Sequence, residues 1–150
     1  MPRFSTGLRD SLTVNYGLGA MMNSGIIRVY AGVRPATPDL APGSLELGRI
    51  TTEGKVFIPV TDPNQAGLLL AFVSPGTLVN AGTWRLKGIA AGTAMWWRWN
   101  WHNADSNGVS STLPRVDGLI GTDLILATND ILPTTDVAIE QFMFILGVGS

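Results

Sequence analysis

The only histidine of this 150-residue chain, His102, stands beside Asn103 and Asp105. A Ser-His-Asp triad needs a histidine to take the proton of a nucleophilic hydroxyl and a carboxylate to orient it. No serine here sits in the Gly-x-Ser-x-Gly elbow that would expose such a nucleophile, so His102 is read as a residue that bonds its neighbours at a strand end. Asp105-Ser106-Asn107-Gly108 has the oxygen donors with which a calcium loop opens. The twelfth position from Asp105 is Val116, where that loop needs a bidentate glutamate, so the segment reads as a turn. One histidine and no cysteine leave zinc without a ligand set. The acidic residues fall mostly in or beside turn sequences, not as a pair flanking one bond. Gly17-Leu18-Gly19 lacks both the third glycine and the preceding strand of a dinucleotide loop. The chain is therefore expected to carry no catalytic residue, no metal site and no cofactor.

Binding has a stronger basis. Ala94-Met95-Trp96-Trp97-Arg98-Trp99-Asn100-Trp101-His102 holds four of the five tryptophans within six positions. Side chains of a strand alternate between faces, which puts Met95, Trp97, Trp99 and Trp101 on one side and Trp96, Arg98, Asn100 and His102 on the other. The first set is expected in the core. The second is left as a functional surface that could meet protein or stack on sugar.

These residues need a β scaffold. Strands are expected at Ile26 to Ala31, Lys55 to Val60, Leu68 to Val73, Thr83 to Ile89, Thr93 to His102, Arg115 to Ile120, Asp123 to Ala127 and Val137 to Leu146. Most are separated by turn clusters such as Ser74-Pro75-Gly76 and Asn80-Ala81-Gly82. One helix is expected, with Phe4, Leu8, Leu12 and Tyr16 along one face, Ser5 or Thr6 as N-cap and Gly17 or Gly19 as terminator. Gly32 to Gly48, which carries Pro35, Pro38 and Pro42, reads as a loop or arm. The order favours an all-β protein, an antiparallel two-sheet sandwich of jelly-roll type. Residues 1–24 form an N-terminal helix or arm, and residues 25–150 one β domain. The expected core contains Trp97, Trp99, Trp101, Phe142 and Phe144.

Composition narrows the partners. Ten basic and eleven acidic residues give a net charge of -1 with no basic run, which disfavours nucleic acid. No apolar run approaches the ~20 residues of a membrane span, and no signal peptide is evident at the N-terminus, so a soluble protein made in the cytoplasm is expected. Cysteine is absent, so disulfides are excluded. Only 14% of residues are charged, about half the usual share, as suits a surface partly covered by a partner.

Arg3-Phe4-Ser5-Thr6-Gly7-Leu8-Arg9, then Gly25-Ile26-Ile27-Arg28-Val29-Tyr30-Ala31-Gly32 with Pro35 and Ala36, resembles a family of small virion proteins of tailed bacteriophages. The similarity continues through Gly92-Thr93-Ala94, Pro114-Arg115-Val116-Asp117-Gly118, Gly121 with Asp123-Leu124, and a closing strand with Ile139, Phe142 and Phe144. The chain departs from that pattern in its tryptophan content and in Pro38 and Pro42. The resemblance implies a non-enzymatic structural protein of the phage particle. A capsid cement or decoration protein is favoured, assembled in the host cytoplasm, placed on the capsid exterior and bound to the major capsid protein. Self-association is expected, most simply as a two-fold dimer. Candidate partner contacts are Phe4, Leu8, Leu12, Tyr16, Pro35, Pro38, Trp96 and Arg98, and deleting Met1 to Tyr16 is expected to weaken capsid binding while leaving the β body folded. The alternative is a tail- or fibre-associated carbohydrate-binding module using Trp96, Arg98 and His102.

Overall fold

The computed structural model describes residues 2–14, 17–101 and 104–145; Tyr16, His102 and Leu146, named above, lie outside them. Among the described residues, two short helices, α1 (Thr6–Val14) and α2 (Leu18–Met22), accompany twelve strands. The strands are β1 (Arg3–Phe4), β2 (Ile26–Tyr30), β3 (Glu46–Thr52), β4 (Leu69–Ser74), β5 (Thr77–Ala81), β6 (Trp84–Gly88), β7 (Gly92–Thr93), β8 (Trp96–Asn100), β9 (Arg115–Leu119), β10 (Leu124–Leu126), β11 (Asp130–Ile131) and β12 (Asp136–Ile145). The protein is mostly β, and its named strands pair antiparallel in curled sheets.

The main path runs β1-β9-β8-β2-β3-β6-β12-β5-β4. The ten-residue β12 is where it bends. Residues Asp136 to Ala138 pair with β6, Ile139, Gln141 and Phe142 with β10, and Met143 to Ile145 with β5.

Register decides which side chains share a face. Trp97 and Trp99 oppose Val29 and Ile27 on β2, and Gly118 and Val116 on β9. This inner face meets Leu8 of α1, Leu18, Met21 and Met22 of α2, Leu124 and Phe142 in one core. Phe142 lies within 5.1–5.6 Å, ring centre to ring centre, of Trp84, Trp97 and Trp99. Gly118 is required here, because a Cβ at that position would fall 2.2 Å from the Trp97 ring.

Several expectations change. Phe4 belongs to β1 and pairs with Val116, so the helix starts at Thr6. Ser5 does cap it: its hydroxyl accepts from the Leu8 amide at 3.1 Å and from the Arg115 amide at 2.8 Å, and donates to the Leu113 carbonyl. One side chain thus joins helix to sheet. Gly17 is the N-cap of α2 and Gly19 lies inside it, a helix too short for its periodicity to register in the sequence. Leu8 of α1 and Leu18, Met21 and Met22 of α2 are buried in the core with the sheet, so deletion of Met1 to Tyr16 would open it, contrary to the expectation of an intact β body.

Lys55 to Val60 forms no strand. Glu53 and Gly54 take left-handed angles that end β3, Pro59 has no amide to donate, and Val60 is again left-handed. In its place β3 lies partly inside the expected loop, its alternation masked by Glu46, Gly48 and Arg49. Met95 precedes the ladder and is half-exposed, whereas Ala94 turns into the core. Trp101, just past β8, is half-buried. Trp97, Trp99, Phe142 and Phe144 are buried as expected.

Candidate functional site

The opposite face of the tryptophan strand is polar, yet it is as buried as the core. Trp96, Arg98, Arg115 and Asp117 have no exposed surface and Asn100 almost none. Cross-strand register places Arg98 beside Asp117, and Asn100 beside Arg115. Arg98 binds Asp117 through two parallel bonds, Nε to Oδ1 at 2.7 Å and Nη2 to Oδ2 at 2.8 Å. Arg115 holds Asp105 in the same fork, at 2.8 and 2.6 Å. Paired planar ions of this kind are the arrangement in which buried charges are tolerated.

The remaining guanidinium donors reach the proline-rich arm. Arg98 Nη1 donates to the Leu40 carbonyl at 2.9 Å, and Arg115 Nη1 to the Pro38 carbonyl at 3.1 Å and to that of Gly108 at 2.8 Å. Between those two arm carbonyls, the Asp39 side chain turns the other way and accepts from the amide and hydroxyl of Thr6 at the start of α1. Arg3 Nη1 holds the carbonyls of Pro35 and Ala36 at 2.7 and 3.0 Å. The prolines donate no amide, and four of the arm's carbonyls are held by arginines: those of Pro35 and Ala36 by the exposed Arg3, those of Pro38 and Leu40 by the buried Arg115 and Arg98.

Asn107 completes the network. It takes a left-handed backbone angle, donates to the Tyr30 hydroxyl, and accepts from Arg98 and Asn100 at 3.2 Å each. Its own amide donates to Asp105 at 2.8 Å, a tight turn within Asp105-Ser106-Asn107-Gly108, and the side-chain oxygens of Asp105 and Asn107 are bonded inside the protein. Tyr30 stacks on Trp96 at 4.3 Å, and the Arg98 guanidinium lies over the same indole.

The charges respond to this setting. Burial pushes the Asp105 carboxyl up, but hydrogen bonds from Arg115, Asn100 and the Asn107 amide outweigh it and hold it below the ordinary range. Burial pushes Asp117 up, opposed by Arg98. Burial, helped by the Glu46 carboxylate, pushes the Tyr30 hydroxyl up to about 12. An unfolded tyrosine titrates near ~10, so neutral Tyr30 contributes stability that is full below that pH. The contribution is lost as pH rises through the folded value of about 12. Urea midpoints measured on either side of this window should fall more steeply with pH for the native chain than for Tyr30→Phe.

Against the arm lies an open groove of about 490 Å³. Phe4 and Phe144, stacked at 5.7 Å, form its apolar floor, Pro38 and Asp39 one wall, and Arg3 and Arg9 its cationic rim. Comparison with protein-family models, with curated proteins and with solved structures finds no match. What the site does must come from its own chemistry.

That chemistry reorders the expected contacts. Trp96 and Arg98, placed on a partner-facing surface by alternation, have no surface to offer: Arg98 is bonded to the Leu40 carbonyl of the arm, and Trp96 is stacked against Tyr30 and the Arg98 guanidinium. Leu8 is in the core and Leu12 packs against it. Phe4 and Pro38 both line the groove, and Arg3 holds the Pro35 carbonyl. Arg9 and Phe144 complete the groove without having been expected there as contacts. Their separation in sequence, at opposite ends of the chain, left no local pattern to find. Among the described residues, no group of three or more metal-ligating side chains converges, and no helix is long and apolar enough to cross a membrane.

Proposed function

We propose that this chain is a structural protein of a tailed-phage particle, a cement or decoration protein that binds the major capsid protein on the outside of the head shell. The observation that carries the reading is the groove between β1, α1 and the clamped arm. It is an apolar aromatic floor under two guanidiniums, suited to an apolar side chain followed by a carboxylate on a protein segment. Three buried or arm-facing arginines hold the arm that forms its wall, so little ordering remains to be done on docking. The role is one of attachment, not catalysis.

The jelly-roll-like two-sheet sandwich belongs to the same proposal, with β12 as the strand that passes from one layer to the other. Support for it is the succession of β6, β10 and β5 as partners of β12. The carbohydrate-binding alternative loses its platform with the burial of Trp96 and Arg98.

Head shells lacking the protein, incubated with purified chain and imaged by cryo-electron microscopy, test the reading. Native chain should occupy the shell exterior, and Arg9→Glu, an exposed rim substitution, should bind about 10–100-fold more weakly at unchanged far-ultraviolet dichroism. Empty shells with native chain, or equal occupancy by both chains, would refute it.

A further inference from the structure

Asn107 is the one asparagine of the chain that is followed by glycine. In an Asn-Gly pair no Cβ on the second residue shields its backbone nitrogen, which can close on the side-chain carboxamide carbon of the asparagine. The fold holds Asn107 out of that reaction. Its backbone is left-handed, a conformation that asparagine adopts more readily than most residues. Both ends of its carboxamide are engaged: the nitrogen donates to the Tyr30 hydroxyl, and the oxygen accepts from Arg98 and Asn100. The groups on either side are fixed as well, the Asn107 amide on Asp105 and the Gly108 carbonyl on Arg115. Attack by the Gly108 nitrogen would make the planar carboxamide carbon tetrahedral and turn it toward the main chain, which breaks its bonds to Tyr30, Arg98 and Asn100. Solvent is close by. Asn107 is 8% exposed, but Ser106 beside it is exposed and Val109 is 77% exposed.

We infer that Asn107 is a latent modification site, protected by the polar core while the arm is seated and converted to aspartate and isoaspartate once the arm lifts. The coupling runs through shared bonds. Arg98 holds both the Asn107 side chain and the Leu40 carbonyl of the arm, Arg115 holds the carbonyls of Gly108 and Pro38, and the Ser110 amide donates to the Asp39 carbonyl at 2.8 Å. Lifting the arm therefore frees the turn. The Gly108 nitrogen then bonds to the Asn107 side-chain carbon and gives up its proton, the carbon–nitrogen bond of the carboxamide breaks, and the departing nitrogen takes the proton and leaves as ammonia. Water opens the five-membered imide that results. Cleavage at the side-chain carbonyl gives aspartate, and cleavage at the main-chain carbonyl gives isoaspartate, with an extra methylene in the backbone. Water is consumed, ammonia is released and nothing is oxidised. Either product adds a carboxylate to a cluster in which Arg98 and Arg115 balance Asp117 and Asp105. Isoaspartate also shifts the Gly108 carbonyl away from Arg115. The unmatched buried charge and the longer backbone keep the arm from reseating, so the opening becomes irreversible. The inference stands whether or not the virion reading does, since it concerns the isolated chain.

Peptide mapping of the full chain by mass spectrometry, after incubation at mildly alkaline pH, tests it. Conversion is read as the small gain in mass of carboxyl over carboxamide at Asn107, with the isoaspartyl peptide separated by chromatography. The native chain should convert at least ~10-fold more slowly folded than in urea, because a reaction confined to an open state runs in proportion to that state's population. Asp117→Ala, which leaves Arg98 unmatched, should speed conversion of the folded chain at least ~10-fold. Phe142→Ala removes a core side chain on the opposite face and leaves the polar network in place, so its rate should stay within about 3-fold of native. Gly108→Ala, whose methyl would meet only the Ser106 hydroxyl at 3.6 Å, should keep the dichroism and slow conversion even in urea. Equal rates folded and in urea, equal acceleration by Asp117→Ala and Phe142→Ala, or no gain in mass at Asn107 in urea would overturn the inference. Should Asp117→Ala fail to fold, Tyr30→Phe takes its place with the same expected acceleration, since it removes the acceptor of the Asn107 carboxamide.

Discussion

Replacing Asp117 by alanine is expected to lower the unfolding free energy by about 3–5 kcal/mol, read as a shift of the urea midpoint. The carboxylate is fully buried, and its loss leaves the Arg98 guanidinium in the same dry position with two donors unmatched. Burial pushes the Asp117 carboxyl up against the opposing pull of Arg98, the direction expected where the interior disfavours charge. Removing both ions behaves differently. Arg98→Met with Asp117→Leu should recover most of the loss, because no charge then remains to be desolvated. A single-variant loss under ~1 kcal/mol, or a double variant worse than the single, would contradict this account. The arm should respond too. Amide exchange in residues 31–45 is expected to quicken in Asp117→Ala, since the Leu40 carbonyl is held by the guanidinium that Asp117 orients.

Phe142→Ala should be of similar size, about 3–5 kcal/mol, through a different cause. Phe142 has no exposed surface and stands at the centre of the aromatic cluster, against Trp84, Trp97, Trp99 and Phe144. Three of these neighbours are tryptophans whose indole N–H groups are tied to backbone carbonyls of Ala81, Leu119 and Met22, so they cannot readily tilt into the cavity. The void should persist and the full cavity penalty apply. Urea unfolding gives the magnitude, and near-ultraviolet dichroism should lose the coupled tryptophan signal while far-ultraviolet dichroism is retained. An unchanged near-ultraviolet spectrum with a loss below ~1 kcal/mol would mean that the cluster had collapsed around the gap.

The two predictions concern opposite faces of one strand, and that contrast marks what could be read from the chain. Period-two alternation in Trp96-Trp97-Arg98-Trp99-Asn100 assigned each side chain to its face, because strand geometry allows no other arrangement. The β-branched and aromatic runs of β2, β6, β9 and β12 were equally legible, as was the Ser5 cap. Short elements were not. α2 has five residues, too few for a helical period, and β3 carries a glycine and two charges, Glu46 and Arg49, that pair with each other along the strand. Lys55 to Val60 looked like a strand by composition, yet no ladder receives it, and strand propensity is largely a report of neighbours.

Whether a face is wet or dry is a long-range matter. Arg98 beside tryptophan reads as a surface residue, since an isolated guanidinium costs too much to bury. Its burial depends on Asp117, nineteen positions away, and on the Leu40 carbonyl, fifty-eight positions away. Cross-strand register and the path of the arm bring these groups together. Alternation along the chain therefore assigned Arg98, Asn100 and Trp96 to a common face. The arm laid over that face turned it from an open surface into a second, polar core, and moved the accessible groove to where the two ends of the described chain meet.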